Sequence, residues 1–316
     1  MRKTLIVFAA ALLAQTGFAQ DYPVREIRSI CNFTAGSGAD IIVRYYSDQL
    51  ARLAGRPVVV ENKPGAQGSL ASAFVAKSAP DGYTIHITPA SSTLASAPHI
   101  FKQLPYDPIK DFATVTTINS LSFVVAVDAA KPFRSVQDLI SHLKQKPGHG
   151  FYGTQSNSGL IAAEWLKSAT GLQTVSVPFK ATGDAFANLL SGQIDFMSVD
   201  ATWAKAQSKV RILAVTAARR SASLPEVPTL TEAGVPGGID VAPWWGVVVP
   251  AGTPRPIIDR LAGWFNQITA SEETRQFLAR SALDPFPGSP ESMGALLKTE
   301  VERWGGFVKL AKIEPQ

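Results

Sequence analysis

Cysteine is almost absent from this sequence, whose 316 residues include only Cys31. A single cysteine excludes an intramolecular disulfide. No His, Lys or Arg stands next to Cys31 to activate its thiol, and the residue lies inside an apolar stretch. We therefore expect a buried, unreactive thiol rather than a nucleophile or a lipid anchor.

Histidine is also scarce, and neither sign of charge is in large excess. The chain has 30 Lys and Arg against 25 Asp and Glu, a mild excess of +5 that argues against a nucleic-acid partner. Its four histidines, His86, His99, His142 and His149, lack the spacing and the Cys partners of a zinc site. No Gly-x-Ser-x-Gly sequence occurs, so a serine hydrolase fits poorly. We predict no metal site and no cofactor.

Long apolar runs are missing after the N-terminus. There, Arg2 and Lys3 precede an apolar run from Leu5 to Ala14 and small residues ending at Ala19, the pattern of a cleavable secretory signal. No later stretch approaches the ~20 apolar residues of a membrane span. Cleavage after Ala19 leaves 316 − 19 = 297 residues and lowers the net charge from +5 to +3, because two basic residues are lost. We predict a signal peptide over 1–19 and an exported mature protein.

The most informative segment runs from Arg28 to Tyr46, which reads as a short strand, a glycine-rich turn and a helix. Glycines at such a turn let backbone N–H groups approach a ligand, and the start of the helix adds unpaired donors and partial positive charge. Position 41 is Ile and no Gly-Lys-Ser/Thr follows, so nucleotide binding is disfavoured. The turn could hold an anion, or it could merely connect two elements.

Strands and helices alternate through the rest of the chain. The predicted strands are 57–61, 83–88, 122–127, 174–178, 194–199, 211–216 and 246–249. The predicted helices are 39–53, 70–76, 135–144, 160–170, 184–191, 257–270, 272–282 and 289–310. This alternation predicts an α/β fold with largely parallel sheets. Ser135 and Ser271 have the sequence context of helix caps.

Two apolar strands that lead into Pro-containing turns, near residues 125 and 245, are candidates for crossings between two lobes. They divide the chain into a discontinuous first domain, 20–124 plus 247–316, and a second domain, 125–246. Clefts between α/β domains commonly bind small ligands. We therefore expect a ligand site between the lobes.

Five motifs occur in order along the mature chain: Phe33-x-Ala35-Gly36-x-Gly38-Ala39-Asp40-x-x-x-Arg44, Val59-Val60-Glu61-Asn62-Lys63-Pro64-Gly65-Ala66, Ala79-Pro80-Asp81-Gly82-Tyr83-Thr84, Val227-Pro228-Thr229-Leu230-x-Glu232-Ala233-Gly234-Val235-Pro236-Gly237, and Trp245-Gly246-x-x-x-Pro250-Ala251-Gly252-Thr253-Pro254. This set resembles the substrate-binding receptors of the tripartite tricarboxylate transporter family, the Bug proteins. The resemblance implies a two-lobed periplasmic binding protein of the type II, Venus-flytrap class. It also implies a small organic carboxylate as ligand, permease subunits in the membrane as partners, a monomer and no catalysis.

The resemblance also implies where the ligand lies. One carboxylate is expected at the loop after the first strand, held by N–H groups and ordered waters. A second-domain loop that starts at Gly153 is expected to hold the distal polar group. The ligand-binding residues that we predict are Phe33, Thr34, Ala35, Gly36, Ser37, Gly38, Ala39, Asp40, Ser91, Ser92, Thr154, Gln155, Ser156, Asn157, Ser158, Lys180 and Asp200.

Several of these residues have an alternative interpretation. Asp40 fits a partner for the N–H groups of its own loop better than a contact to an anion. Lys180 could pair with an anionic ligand or remain solvated. Asp200 could bind a ligand hydroxyl or ammonium, or cap a helix. Trp244 and Trp245 are expected to pack in the core on opposite sides of one strand.

The chain departs from the family pattern in its second-domain loop, which is shorter, and at Phe179 and Ser37, where the family usually has Tyr and Gly. The loop and Phe179 favour a bulkier or less polar acid. Two other functions stay open, namely a receptor that is read by a signalling partner and an exported hydrolase. The hydrolase would need a nucleophile–base pair that the sequence does not supply.

Overall fold

The computed structural model describes residues 22–146, 148, 150–154, 156–179, 181–311 and 313–315. The predicted signal peptide, His149, Gln155 and Lys180 lie outside these residues. The strands are β1 (Ile27–Cys31), β2 (Val58–Asn62), β3 (Thr84–Thr88), β4 (Phe112–Leu121), β5 (Phe123–Asp128), β6 (Phe151–Thr154), β7 (Val175–Pro178), β8 (Phe196–Asp200), β9 (Val210–Val215), β10 (Trp244–Pro250) and β11 (Leu283–Pro285).

The α-helices are α1 (Gly38–Ala54), α2 (Ser69–Ala76), α3 (Ala97–Ile100), α4 (Val136–Lys144), α5 (Asn157–Thr170), α6 (Thr182–Leu190), α7 (Ala201–Lys205), α8 (Arg255–Ala270), α9 (Glu272–Arg280) and α10 (Pro290–Leu310). A 3-10 turn, Ala66–Gly68, precedes α2, and a π-helical turn, Ser91–Ala95, precedes α3. Ser135 caps α4 in a capping box with Asp138, and the Ser271 hydroxyl accepts the N–H of Thr274 at the start of α9. Both predicted caps are confirmed.

The strands form two separate sheets, which are the cores of two α/β lobes. The first sheet has the order β11-β4-β10-β3-β1-β2 and the second has the order β7-β6-β8-β5-β9. Three parallel strands lie together at one side of each sheet, β3-β1-β2 in the first and β7-β6-β8 in the second. The remaining neighbours are antiparallel.

The expectation of largely parallel sheets is therefore wrong, and both sheets are mixed. The physical cause is the path of the chain between the lobes. It leaves the first sheet along β4 and enters the second along β5, and it returns from β9 through residues 216–243 into β10. The two strands that enter a sheet from the other lobe, β5 and β10, run against the local βαβ units, whereas β4 and β9 run in the same direction as those units. The predicted domain limits, 20–124 plus 247–316 and 125–246, stay a prediction.

Helices cover the apolar faces of the sheets and bury the core. One buried cluster joins α1, α8 and one face of the first sheet through residues such as Val43, Leu50 and Phe265. Another cluster is continuous from the first sheet to the second, since it includes Val248 of β10 and Phe196 of β8, together with Trp304 of α10. The two lobes thus share part of their apolar core.

Candidate functional site

The carboxyl ends of the parallel strands place most of the predicted site residues at one edge of each sheet. In the first sheet, β1 and β3 are parallel neighbours, so the glycine turn after β1 and the π-helical turn after β3 lie at the same edge. In the second sheet, β6 and β8 are parallel neighbours, so Thr154 and Asp200 also share an edge. Ligands of α/β proteins bind outside such carboxyl ends.

Both edges adjoin the strands that cross between the lobes. Asp200 pairs with Phe123, the first residue of β5. Thr88, the last residue of β3, pairs with Gly246 near the start of β10. Only Ser122 separates β4 from β5, so the two carboxyl edges meet at this crossing. The topology therefore sets the two groups of predicted residues on the two sides of an interlobe cleft.

The glycine turn presents a largely open surface at this edge. Thr34, Ala35 and Gly36 are exposed, and a Cβ atom built on Gly36 or Gly38 would have no heavy atom within 4 Å. Gly36 has φ +80°, a conformation that side chains rarely adopt. The turn is anchored on one side by Phe33, whose ring stacks on Trp245 at a centroid distance of 5.6 Å.

Asp40 fixes the shape of this turn. Its buried carboxylate accepts hydrogen bonds from the Gly36 N–H at 2.8 Å, the Arg44 Nε at 2.8 Å and the Asn62 Nδ2 at 2.7 Å. Burial raises the pKa of Asp40, but the hydrogen bonds from Arg44, Asn62 and Gly36 outweigh it and lower the pKa to about 2. The observed bonds match the interpretation of Asp40 as a partner for its own loop.

The first turn of α1 supplies free donors beside Asp40. The Ser37 hydroxyl caps the helix by accepting the Asp40 N–H at 3.2 Å. Among the described residues, the N–H groups of Gly38 and Ala39 have no acceptor, as expected for the first positions of a helix. Unpaired N–H groups and the positive end of a 17-residue helix favour an anion at this place.

On the facing lobe, α5 begins directly above β8. Ser156 caps α5 by accepting the Gly159 N–H at 3.2 Å. Gly159 lies so close to β8 that an added Cβ atom would come within 2.6 Å of the Ser198 carbonyl oxygen. Thr154 and Ser158 are buried, with 4% and 8% exposure. Contrary to a continuous loop from Gly153 to Ser158, Gly153 and Thr154 end β6 while Asn157 and Ser158 begin α5.

Asp200 ends β8 and caps the short helix α7. Its Oδ1 accepts the Trp203 N–H at 2.8 Å. Burial raises the pKa of Asp200, and the hydrogen bond from the Trp203 N–H offsets only part of this rise. Within the described residues, no Lys, Arg or His forms an ion pair with it.

Ser91 and Ser92 use their hydroxyl groups within the first lobe. The Ser91 Oγ accepts the Trp244 N–H at 3.0 Å, which ties the π-helical turn to the returning strand β10. The Ser92 Oγ donates to the Pro89 carbonyl at 3.2 Å. Ser91 nevertheless meets the second lobe, because it lines one small cavity together with Ser158 of α5.

The sequence analysis did not single out Asn32, although the structure places it at the same edge. Asn32 is only 6% exposed, and its Oδ1 accepts the Thr88 hydroxyl at 3.1 Å. Its Nδ2 has no acceptor among the described residues and lies against Gly68, where an added Cβ atom would be 2.7 Å away. A polar residue directly after an apolar strand was the available signal.

The predictions for Trp244, Trp245 and Cys31 concern the buried core. Trp244 and Trp245 are buried and belong to different core clusters, which confirms their packing on opposite sides of β10. Cys31 is buried, and burial is the main cause that raises its pKa to about 11. Gln155, Lys180 and the Asn157 side chain lie outside the part of the chain that the structure describes.

A separate cavity of about 290 Å³ lies beside the crossing, lined by residues of β11, α10 and the connection 216–243 and by Trp244, but by none of the predicted ligand residues. In the part of the chain that the structure describes, no group of His, Cys, Asp or Glu side chains is arranged to hold a metal ion. Over the same residues, no helix has the length and apolar character to span a membrane.

A comparison with known protein families shows to which family this chain belongs. The profile described as "Tripartite tricarboxylate transporter family receptor" matches residues 42–313. The chain belongs to this family. Protein BugT of Bordetella pertussis is 29% identical over 309 residues, which cover 96% of this chain and 94% of BugT.

Solved structures agree with the family. Rpa4515 of R. palustris, determined with adipate, is 31% identical with a TM-score of 0.75, and the match covers 94% of this chain and 100% of that one. MatC (Rpa3494) of Rhodopseudomonas palustris, determined with bound malate, is 28% identical with a TM-score of 0.69 over 91% of this chain and 100% of MatC. The family receptor is therefore a two-lobed periplasmic solute-binding protein, which binds its solute for a transporter rather than converting it.

Proposed function

We propose that the chain binds a small organic carboxylate between its two lobes and delivers it to the permease subunits of a tripartite tricarboxylate transporter. The mature protein starts after a signal peptide at 1–19 and acts as a monomer in the periplasm. The observation that carries the ligand class is the open turn with unpaired N–H groups at the start of α1. The adipate of the Rpa4515 structure and the malate of the MatC structure support it.

The geometry suits an anion better than a neutral solute on the first lobe. The ionised Asp40 carboxylate is already paired with the Arg44 guanidinium and with N–H donors. It therefore repels an anion less than an unpaired carboxylate would. The N–H groups of Gly38 and Ala39 remain to bind the ligand carboxylate directly or through water. On the second lobe, buried Thr154 and Ser158 supply neutral hydroxyl groups for the distal part of the ligand.

The test is calorimetric titration of the mature protein, refolded after a denaturing step that removes carried-over ligand, with aliphatic and aromatic carboxylates, amino acids and neutral metabolites. Thermal unfolding gives a second readout, because ligand at about 100 times Kd adds about 2.7 kcal/mol to the free energy of unfolding. Binding of a carboxylate class without turnover supports the proposal. Binding of neutral solutes alone, or steady hydrolysis of an ester or amide panel, contradicts it.

Thr154→Val locates the site, since it removes only the hydroxyl from a side chain of similar shape. We expect affinity to fall by about 1–3 kcal/mol if this hydroxyl meets a polar ligand atom. Thr174→Val is the matched control, because Thr174 is equally buried at 3% exposure but precedes β7 at the opposite edge of the sheet. Equal affinities for the two variants would remove Thr154 from the site.

A further inference from the structure

Asp200 combines two features that a helix cap alone does not require. It lies at the carboxyl end of β8 beside the crossing. By strand alternation it shares a face of β8 with Phe196, which packs in one buried cluster with Ile161 and Leu166 of α5. It is also half-buried and has no cationic partner among the described residues. Capping of α7 uses one carboxylate oxygen, Oδ1.

The second carboxylate oxygen is therefore free in a half-buried position at the edge of the sheet. In the described part of the chain, no side chain donates a hydrogen bond to Asp200, and the N–H groups of Trp203 and of Asp200 itself are its only donors. A carboxylate that is removed from water and left without a partner is unfavourable. A solute that covers this oxygen and displaces its water therefore binds favourably only if it brings a hydrogen-bond donor to it.

The same carboxylate discriminates between acids. A second carboxylate of a ligand would repel the Asp200 carboxylate. A plain methylene group would form no hydrogen bond with it. A hydroxyl group donates a hydrogen bond to this carboxylate, and an ammonium group adds the attraction of opposite charges. The side chain is thus a selector for acids that carry such a donor.

We propose that Asp200 makes this receptor specific for hydroxy- or aminocarboxylic acids, whose carboxylate binds at the turn before α1 while their hydroxyl or ammonium group donates to Asp200. This inference rests on the proposed carboxylate function and narrows it. It differs from the expectation, drawn from Phe179 and the shortened loop, of a less polar acid.

The experiment compares acids that differ only at carbon 2, in sets that bear hydrogen, hydroxyl or ammonium. Suitable sets are succinate, malate and aspartate; adipate, 2-hydroxyadipate and 2-aminoadipate; and phenylacetate, mandelate and phenylglycine. In at least one set we expect the hydroxy or amino acid to bind about 10- to 100-fold more tightly than the plain acid, in calorimetric titration of the stripped protein.

The Asp200→Asn variant then assigns the preference. Asn still caps a helix, so the fold is retained, but its amide lacks the negative charge and we expect the amino acid to lose most of its advantage. Asp128→Asn is the control, because Asp128 is a buried residue at the end of β5 that accepts the Ala130 N–H and lies at the far edge of the same sheet. It should leave all affinities unchanged.

The outcomes separate the two proposals. If plain acids bind as tightly as their substituted counterparts, or if Asp200→Asn and Asp128→Asn behave alike, the selectivity inference is wrong while the carboxylate receptor stands. If no acid of any set binds, both proposals fall.

Discussion

At the scale of single residues, Asp40 fixes the shape of the turn at which we propose that the anion binds. Its carboxylate gathers the Gly36 N–H, the Arg44 guanidinium and the Asn62 amide, and these bonds hold the turn open. Replacing it with Asn keeps the volume but turns one acceptor oxygen into a donor that faces other donors. The residue therefore matters first for stability.

We predict that Asp40→Asn lowers the free energy of unfolding by about 2–3 kcal/mol, because a buried, charge-assisted network loses its acceptor. Urea unfolding followed by circular dichroism measures this. Asp48→Asn is the matched control, since Asp48 is an exposed residue of the same helix, and it should change stability by less than about 0.5 kcal/mol. Equal stabilities of the two variants would show that the network contributes nothing.

His86 predicts how stability depends on pH. It is fully buried in β3, where its Nδ1–H donates to the Ile30 carbonyl at 2.8 Å. Burial lowers its pKa from 6.5 to about 4, against a smaller opposite effect of the Ile30 carbonyl. Since the unfolded state takes up the proton first, this residue destabilises the fold as pH falls from 6.5 to about 4, by up to about 3 kcal/mol.

Unfolding free energies measured from pH 7 to pH 4 in wild type and His86→Gln test this assignment. The buried carboxyl of Glu300, whose pKa is raised chiefly by burial, has the opposite sign and stabilises the fold on acidification. The difference between the two proteins isolates His86. If the difference in unfolding free energy does not change with pH, His86 does not titrate as argued.

At the scale of secondary-structure elements, the start of α5 has to lie close to β8 if Ser156 and Ser158 are to reach the proposed cleft. Gly159 permits this approach, because a Cβ atom would collide with the Ser198 carbonyl at 2.6 Å. A backbone carbonyl in a strand cannot move aside cheaply. The helix itself would have to shift.

Gly159→Ala should therefore weaken ligand binding several-fold and lower stability by about 1–3 kcal/mol, the usual cost of an overpacked site. Gly183→Ala is the control. Gly183 also lies in the first turn of a helix, α6, but no heavy atom lies within 4 Å of its added Cβ atom. Calorimetric titration and urea unfolding give both quantities, and equal affinity in the two variants would contradict a role for this close approach.

Most of the elements could be predicted from the sequence, and the failures have physical reasons. Strand β4 was missed because its run Phe-Ala-Thr-Val-Thr-Thr-Ile-Asn-Ser-Leu is rich in polar residues, although buried Thr116 and Asn119 show that it is central in the sheet. Strand β6 was missed because it has only four residues and contains Gly153. Tertiary pairing overrides weak local preference in both cases.

At the scale of the whole molecule, the lobes are not independent. One continuous buried cluster contains residues of both sheets, and Trp304 of α10 belongs to it. The connection 216–243 is tied to α10 as well, since the Arg303 Nη2 donates to the Asp240 carbonyl at 2.7 Å. Lobes that share a core are expected to unfold together.

We predict a single calorimetric unfolding transition whose van't Hoff and calorimetric enthalpies agree. Trp304→Ala should lower stability by about 3–5 kcal/mol and broaden or split the transition, because it removes shared core. Trp264→Ala, in a cluster confined to the first lobe, is the control and should keep one transition. Two separate transitions in wild type would mean that the shared cluster does not couple the lobes.

The strand–turn–helix cradle, the helix caps and the family could be predicted from the amino-acid sequence, because glycine placement, capping and apolar periodicity act over a few residues. Long-range packing was needed to learn that the sheets are mixed, that Asp40 pairs with Asn62, that Asn32 lies at the site edge and that Asp200 has no cationic partner within the described residues. Each of these depends on residues far apart in the chain, such as Asn62 with Phe33 and Asp40, which meet only when β1 and β2 pair.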